Sequence, residues 1–486
     1  MTSPLLDRIL ALAGSSRPAI VDDDGALTGA ALIDRASRVA ASLLAGADGL
    51  AGARVALLAP QDRDWLAAFF GILLAGGVPV PLSPAYPAAE LAWFADDAGC
   101  THALIGPPLA ALAADLTRGR RTLTPADAAS GPPIALDRVR PGTSPDDGAL
   151  VLYTSGTTGR PKGALLSHRA IGLQVGLIAD AWGFGPSDVL LHALPLHHLH
   201  GLVAALLVPV LAGGAARVLP RFDAPRVATG LGDATAFMAV PTMYHRLRDL
   251  TGDDAAALAR GARGLRLATS GSAALPVTLA GWWQGLHGAI PLERFGMTEI
   301  GIALSNPLER TARRPGLVGQ PLPTVEIQIV DDELWVRGPS LFTGYLGRPE
   351  ATAAAFAPGG WFKTGDVAER SADGHIRLLG RTSTDILKSG GYKISALQIE
   401  EVLRDHPSIA EVAVVGLPDD ALGDRIVAAI VVRAGDTLDV DALRTWTKAR
   451  LAAYQVPRTF VVVDALPKNP VGKVVKRQVV SDLSRS

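Results

Sequence analysis

The chain has 486 residues, which at roughly 150 residues per domain is material for about three domains and excludes a single small module. Its 46 Lys and Arg stand against 47 Asp and Glu, and only 19% of residues are charged, so neither a nucleic-acid partner nor a disordered acidic tail is indicated. Hydrophobic residues reach 48% with 5% aromatic, so Ala, Leu and Val must fill the cores, and the single cysteine, Cys100, leaves no intramolecular disulfide or cysteine zinc cluster and fits a reducing, cytoplasmic setting.

Near the N-terminus, Asp7 and Arg8 precede a short apolar run at 9–13, which is not the order of a secretory signal. Residues 65–82 carry no charge, yet Gly76, Gly77, Pro79 and Pro81 interrupt the second half, so a buried helix and a short strand are expected rather than a membrane span. The run at 202–216 is too short to span and contains Pro209, and reads as core. Short apolar runs at 55–58, 102–105, 149–153, 189–193, 234–240 and 265–268 are each followed by a helical pattern. That rhythm predicts α/β layers with largely parallel sheets. Between 316 and 338 the spacing tightens to strands at 325–330 and 333–336 around Asp331-Asp332, a β subdomain. A compact α+β module follows, with helices at 396–405 and 440–451 and strands at 411–416 and 425–432. The expected division is an N-terminal region 1–380, a hinge at 381–385 and a C-terminal domain 386–486.

The strongest local signal is Thr154-Ser155-Gly156-Thr157-Thr158-Gly159-Arg160-Pro161-Lys162-Gly163, directly after a predicted strand. Hydroxyls, glycine backbone that can approach oxygens closely, and one lysine are what a polyphosphate requires. The lysine is followed by Gly163 rather than Ser or Thr, so this is not a Walker loop and a magnesium ligand must come from elsewhere. The plain alternative is a Gly/Ser/Thr surface turn.

This loop resembles the signature of the adenylate-forming superfamily of acyl-CoA synthetases, adenylation domains and luciferases, and further motifs follow in the family order. Phe295-Gly296-Met297-Thr298-Glu299 resembles the motif in which the threonine meets the α-phosphate and the glutamate holds magnesium. Thr364-Gly365-Asp366 resembles the ribose motif, with Arg381 as its partner on the nucleotide. Taken alone, Asp366 would read as a turn or cap residue. Ser270 to Pro276 resembles the adenine-side loop, which brings in Ser272 and Ala273, with Glu293, Phe295 and Gly296 beside it and Phe295 stacking on the purine. In 467–473 the resemblance implies that Lys473 reaches the reacting carboxylate and the α-phosphate. Two like charges about 4 Å apart repel by about 4 kcal/mol at an effective dielectric of about 20, so a cation there favours the encounter. The plain reading is a solvated basic tail with Lys476 and Arg477. Residues 386–393 resemble the segment that lines the pantetheine tunnel after the small domain rotates about Ser383, which implicates Ser389, Gly390 and Gly391.

The acid is read from two further segments. His192, His197, His198 and His200 invite a zinc reading, but no Cys, Asp or Glu lies between 189 and 222, and residues 194–201 resemble the family motif beside the acyl pocket, where His198 and His200 would be hydrogen-bond donors. Arg246 and Arg294 lie in segments that look like those of malonyl-CoA synthetases. A guanidinium facing the acid would pair bidentately with a second carboxylate. An internal Arg294–Glu293 pair or an exposed Arg246 is the plain alternative. The resemblance thus implies a malonate–CoA ligase of the AMP-forming type, using ATP, magnesium and coenzyme A, with methylmalonate as a related substrate. A CoA ligase for a fatty or aryl monocarboxylic acid is the alternative enzyme, and an inactive nucleotide-binding regulator of the same fold is the alternative of another class.

Overall fold

The computed structural model describes residues 3–136, 143–154, 160–420, 422–468 and 474–485. The chain divides into two compact units, one of residues 1–326 with 336–362 and one of 327–335 with 363–486. The second unit therefore begins before residues 381–385, where the sequence suggests a hinge.

In the first unit, a nine-stranded sheet has six neighbouring parallel strands at its centre: Leu292–Met297, Leu267–Ser270, Ala236–Ala239, Val189–His192, Ala215–Val218 and Pro18–Asp22. Antiparallel strands close it on both sides, Gly301–Ser305 and Gln320–Pro321 at one edge and Gly25–Thr28 at the other. A second sheet of Val78–Pro81, Arg54–Leu58, Cys100–Ile105 and Arg121–Leu123 is wholly parallel. These sheets bear out the layered α/β expectation. The uncharged stretch at 65–82 resolves as expected into the helix Arg63–Leu74 and the strand Val78–Pro81. Asp62 caps that helix through the Trp65 N–H, and its residues 65–74 are all buried, which is why it is apolar all round.

One expectation fails. The strand Gly148–Thr154 is not followed by a helix but turns back antiparallel on Lys162–Ser167, with Thr154 opposite Lys162 and Tyr153 opposite Gly163. The helix His168–Trp182 comes only after this second strand, capped by Ser167 and ended by Gly183 at φ 63°. Gly344–Tyr345 completes this three-stranded sheet, with Tyr345 opposite Ala164. The glycine-rich segment thus joins two strands of a hairpin, and Lys162 is the first residue of the returning strand. The strand expected at 265–268 is also displaced, to Leu267–Ser270, because Arg266 is taken out of the run by an ion pair with Asp188.

In the second unit, Ile386–Ser389, Tyr392–Ser395, Gly423–Val432, Ile409–Asp419 and Thr459–Val462 form a mixed sheet, with helices Ala396–Arg404, Val440–Lys448 and Lys476–Leu483. Asp331 and Asp332, both at positive φ, form the turn between Glu326–Val330 and Glu333–Arg337, as the sequence predicts. A buried ion cluster anchors the last helix: the Lys476 ammonium meets Asp385 at 2.6 Å and Glu400 at 2.7 Å, and Arg404 also reaches Glu400 at 2.8 Å. Burial alone would depress the Lys476 pKa, but Glu400 and Asp385 outweigh it and hold the ammonium above its usual range. Lys476→Met takes the ammonium from buried Asp385 and leaves Glu400 with Arg404, and urea denaturation of the full chain is expected to show the transition of this unit weakened by about 3–5 kcal/mol.

Candidate active site

Parallel strands in open α/β sheets present their carboxyl ends to ligands. Here His192, Ser270 and Arg294 come from that end of three strands of the large sheet. The next segment, His200–Leu207, is a π-helix, and a side chain at Gly201 would come within 2.1 Å of the Pro195 carbonyl oxygen. Its carbonyl accepts a 2.8 Å hydrogen bond from His192 Nε2, which fixes that ring. Burial depresses the His192 pKa to about 4 and pushes that of His200 well below the ordinary value, so both rings are neutral at physiological pH. His200 Nδ1 lies 3.4 Å from the Ser272 hydroxyl, and Ser272 holds φ at 68°, a strained conformation for a side chain other than glycine.

Arg294 is 4% exposed, and burial pulls its pKa down to about 10. Among the described residues its Nε and Nη2 have no hydrogen-bond partner, and neither do the buried His200 Nε2 and Ser270 Oγ. The guanidinium packs on bare backbone: a Cβ at Gly271 would lie 2.4 Å from its Cζ. The neighbouring Glu293 points elsewhere, and its Oε1 accepts the Gly316 N–H at 2.8 Å. Buried donors without acceptors are costly, and a buried cationic fork matches a carboxylate. Arg246 is different. On the helix Pro241–Arg248, Met243, Tyr244 and Leu247 take the buried face and leave Arg246 exposed. His198 is half-buried and touches His197, with ring centroids 4.0 Å apart.

A second cluster surrounds the hairpin. Thr298 and Glu299 sit in the tight turn between Leu292–Met297 and Gly301–Ser305. This turn needs Gly296, where a Cβ would meet the Gly301 carbonyl at 2.2 Å. Glu299 is 4% exposed. Its Oε1 accepts the Tyr345 hydroxyl at 2.8 Å, and Lys162 Nζ lies 4.8 Å from the centre of the same Tyr345 ring. Lys162 and Glu299, far apart in sequence, therefore face one place. Thr154 and half-buried Phe295 lie on the adjoining strands, and Ser272 and Ala273 are exposed in their loop. One buried carboxylate is a donor set that magnesium accepts, because that ion is commonly held by one or two carboxylates together with substrate phosphates. Ser155, Gly156, Thr157, Thr158, Gly159 and Lys473 lie outside the described residues.

In the second unit Asp366 and Arg381 are opposite one another across antiparallel strands, and Arg381 Nε meets Asp366 Oδ1 at 3.1 Å. Arg381 also donates to the Thr364 carbonyl at 2.9 Å. Within 381–385, Arg381 N–H donates to Asp385 Oδ2 and Asp385 N–H to the Arg381 carbonyl. Gly390 and Gly391, at φ 58° and 84°, form the two-residue turn between paired strands that begins at buried Ser389, so hairpin geometry alone requires both glycines. Sequence reasoning missed Tyr345 and the partnerless state of Arg294. For Tyr345 the only local signal was an aromatic after a glycine.

The AMP-binding enzyme family model matches residues 10–346, and the AMP-binding enzyme C-terminal domain model matches 398–473. A mitochondrial malonate–CoA ligase of Bos taurus is 40% identical, over 98% of this chain and 90% of its own length. The crystal structure of ATP-bound MatB from Rhodopseudomonas palustris superposes with a TM-score of 0.89 at 34% identity, covering 100% of this chain and 99% of that one. A malonyl-CoA ligase solved as a ternary product complex with methylmalonyl-CoA and AMP is 40% identical over 95% of this chain and 99% of its own, with a TM-score of 0.71.

An unpaired buried guanidinium works against folding. Arg294→Met is expected to leave the fold intact and to stabilise it by roughly 1–4 kcal/mol, read as a higher thermal midpoint in the absence of substrates. An unchanged or lower midpoint would mean that Arg294 is satisfied within the protein.

Proposed function

The chain belongs to the AMP-binding enzyme family, and from that premise we propose that it joins malonate to coenzyme A at the expense of ATP. In the first step one malonate carboxylate oxygen attacks the α-phosphorus, the bond to pyrophosphate breaks, and malonyl-adenylate forms. In the second, the CoA sulfur attacks the acyl carbon, AMP leaves, and the thiol proton passes to solvent. The observation that carries the choice of acid is Arg294, a buried cation whose Nε and Nη2 lack acceptors. The spare carboxylate of malonate supplies two, while His200, whose ring the Arg294 charge reaches, offers Nε2 as a further polar contact.

The remaining roles follow from resemblance and, for the described residues, from their geometry. Lys162 offsets phosphate charge, Thr298 meets the α-phosphate, and Glu299 holds magnesium, which, when bound with the nucleotide, neutralises phosphate charge. Thr154 and the 155–159 segment wrap the phosphates; Ser272, Ala273, Glu293, Phe295 and Gly296 border the adenine; Asp366 and Arg381 take the ribose. Lys473 assists adenylation, and Ser389, Gly390 and Gly391 admit the pantetheine arm after a rotation about 381–385. His198 and Arg246, the latter from an exposed helix position, border the acid side. Among the described residues no helix is long and apolar enough to cross a membrane. The lone, buried Cys100 favours a reducing compartment, and we assign the chain to the cytoplasm. A 2-methyl group on malonate is a second reading, supported by the relative solved with methylmalonyl-CoA.

The test is a CoA-ligation screen of malonate, methylmalonate, propionate, octanoate and benzoate with wild type and Arg294→Ala. Wild type is expected to prefer malonate. The variant is expected to lose about 3 kcal/mol of transition-state stabilisation on malonate, on the order of a hundredfold in kcat/KM, with no comparable loss on propionate. Preference for a monocarboxylate, or malonate turnover indifferent to Arg294→Ala, overturns this reading. Silence across the whole panel would favour the nucleotide-binding regulator.

A further inference from the structure

Lys162 and Glu299 are brought together by Tyr345, a residue that belongs to none of the motifs above. Its hydroxyl donates to Glu299 Oε1 at 2.8 Å, and its ring centre lies 4.8 Å from the Lys162 ammonium. One side chain thus touches the anion on the metal side and the cation on the phosphate side of the proposed nucleotide site. A carboxylate accepts at about four lone-pair positions, so the phenol occupies one of those on Oε1 and arrests rotation of the group. The ring face attracts the ammonium without taking its protons, so its donors stay available to phosphate oxygens.

Tyr345 can set this geometry because it is itself held on several sides. It pairs with Ala164, its N–H donates to Thr352 Oγ1 at 2.9 Å, and its ring meets that of Phe342 edge-on at 4.8 Å. Three residues on, Arg348 reaches Asp97 at 2.7 Å, and the same carboxylate accepts the Tyr153 hydroxyl of the hairpin at 2.9 Å. The Glu299 main chain is fastened to the same segment, since its carbonyl accepts the Phe342 N–H at 2.8 Å. Outer contacts of this kind, which orient a ligand carboxylate, commonly govern metal affinity.

We infer that Tyr345 is a positioning residue that orients the Glu299 carboxylate for the divalent cation and holds Lys162 beside it for the phosphates. This rests on the reading of Glu299 as the magnesium ligand. Binding of ATP to the full chain, without acid or CoA, is followed by calorimetry across a Mn2+ titration. Tyr345→Phe keeps the ring and removes only the hydroxyl. It is expected to retain the wild-type thermal midpoint and metal-free ATP affinity but to need about 10-fold more Mn2+ for half-maximal enhancement of ATP binding. Tyr345→Leu, which also removes the ring, is expected to weaken metal-free ATP binding as well. A Mn2+ midpoint unchanged in Tyr345→Phe, while Glu299→Gln abolishes the Mn2+ effect, overturns the inference. If Glu299→Gln itself leaves the Mn2+ effect intact, the failure lies in the assignment of Glu299, not of Tyr345.

Discussion

A guanidinium held out of water with no anion beside it among the described residues is the constraint around which the proposed acid side of this molecule is arranged. Arg294 reaches that state because its strand runs into the large parallel sheet, which has no solvent on either face at that point, and because Gly271 leaves room for the flat group against backbone. Burial is the whole cause of its lowered pKa, with no carboxylate to counter it. Neutral His200, close enough to feel the Arg294 charge, adds a buried polar atom that the described residues leave unsatisfied. Such sites are tolerated where a ligand supplies the missing partner.

The proposed nucleotide side is organised differently, by satisfied contacts instead of missing ones. The hairpin Gly148–Thr154 and Lys162–Ser167 places Lys162 at the start of a strand, where a ladder fixes its backbone. Gly344–Tyr345 adds to that ladder and carries the phenol that reaches Glu299. Both ends of the glycine-rich connection, Thr154 and Lys162, are thus fixed by a strand ladder. In the second unit, Asp366 and Arg381 use the same economy: cross-strand partners pre-oriented by the pairing of two strands.

Much of this was legible in the sequence, and what was not has physical reasons. Runs such as 55–58 and 102–105 were read correctly because buried parallel strands are short, apolar and bounded by turn residues. The strand Lys162–Ser167 was missed because six residues ending in Leu-Leu-Ser look like the first turn of the helix that follows. Lys162 and Glu299 were found through their motifs, but Tyr345 acts through tertiary contact, which no local pattern encodes. The two arginines looked equivalent in sequence. Only packing separates Arg246, turned out by the helix face that Tyr244 and Leu247 occupy, from Arg294, turned in by its strand. Gly390 and Gly391 show the reverse, since a hairpin turn accounts for residues that resemblance had tied to a cofactor.

The central claim is that the second carboxylate of the acid is the anion Arg294 lacks. The most direct measurement compares malonate with monomethyl malonate, which keeps the reacting carboxylate and the length of the acid but masks the other charge. Pyrophosphate release on mixing with ATP should be at least about 100-fold more efficient for malonate, because a neutral ester cannot pair bidentately with a buried guanidinium. Equal efficiency for the two acids would contradict the account.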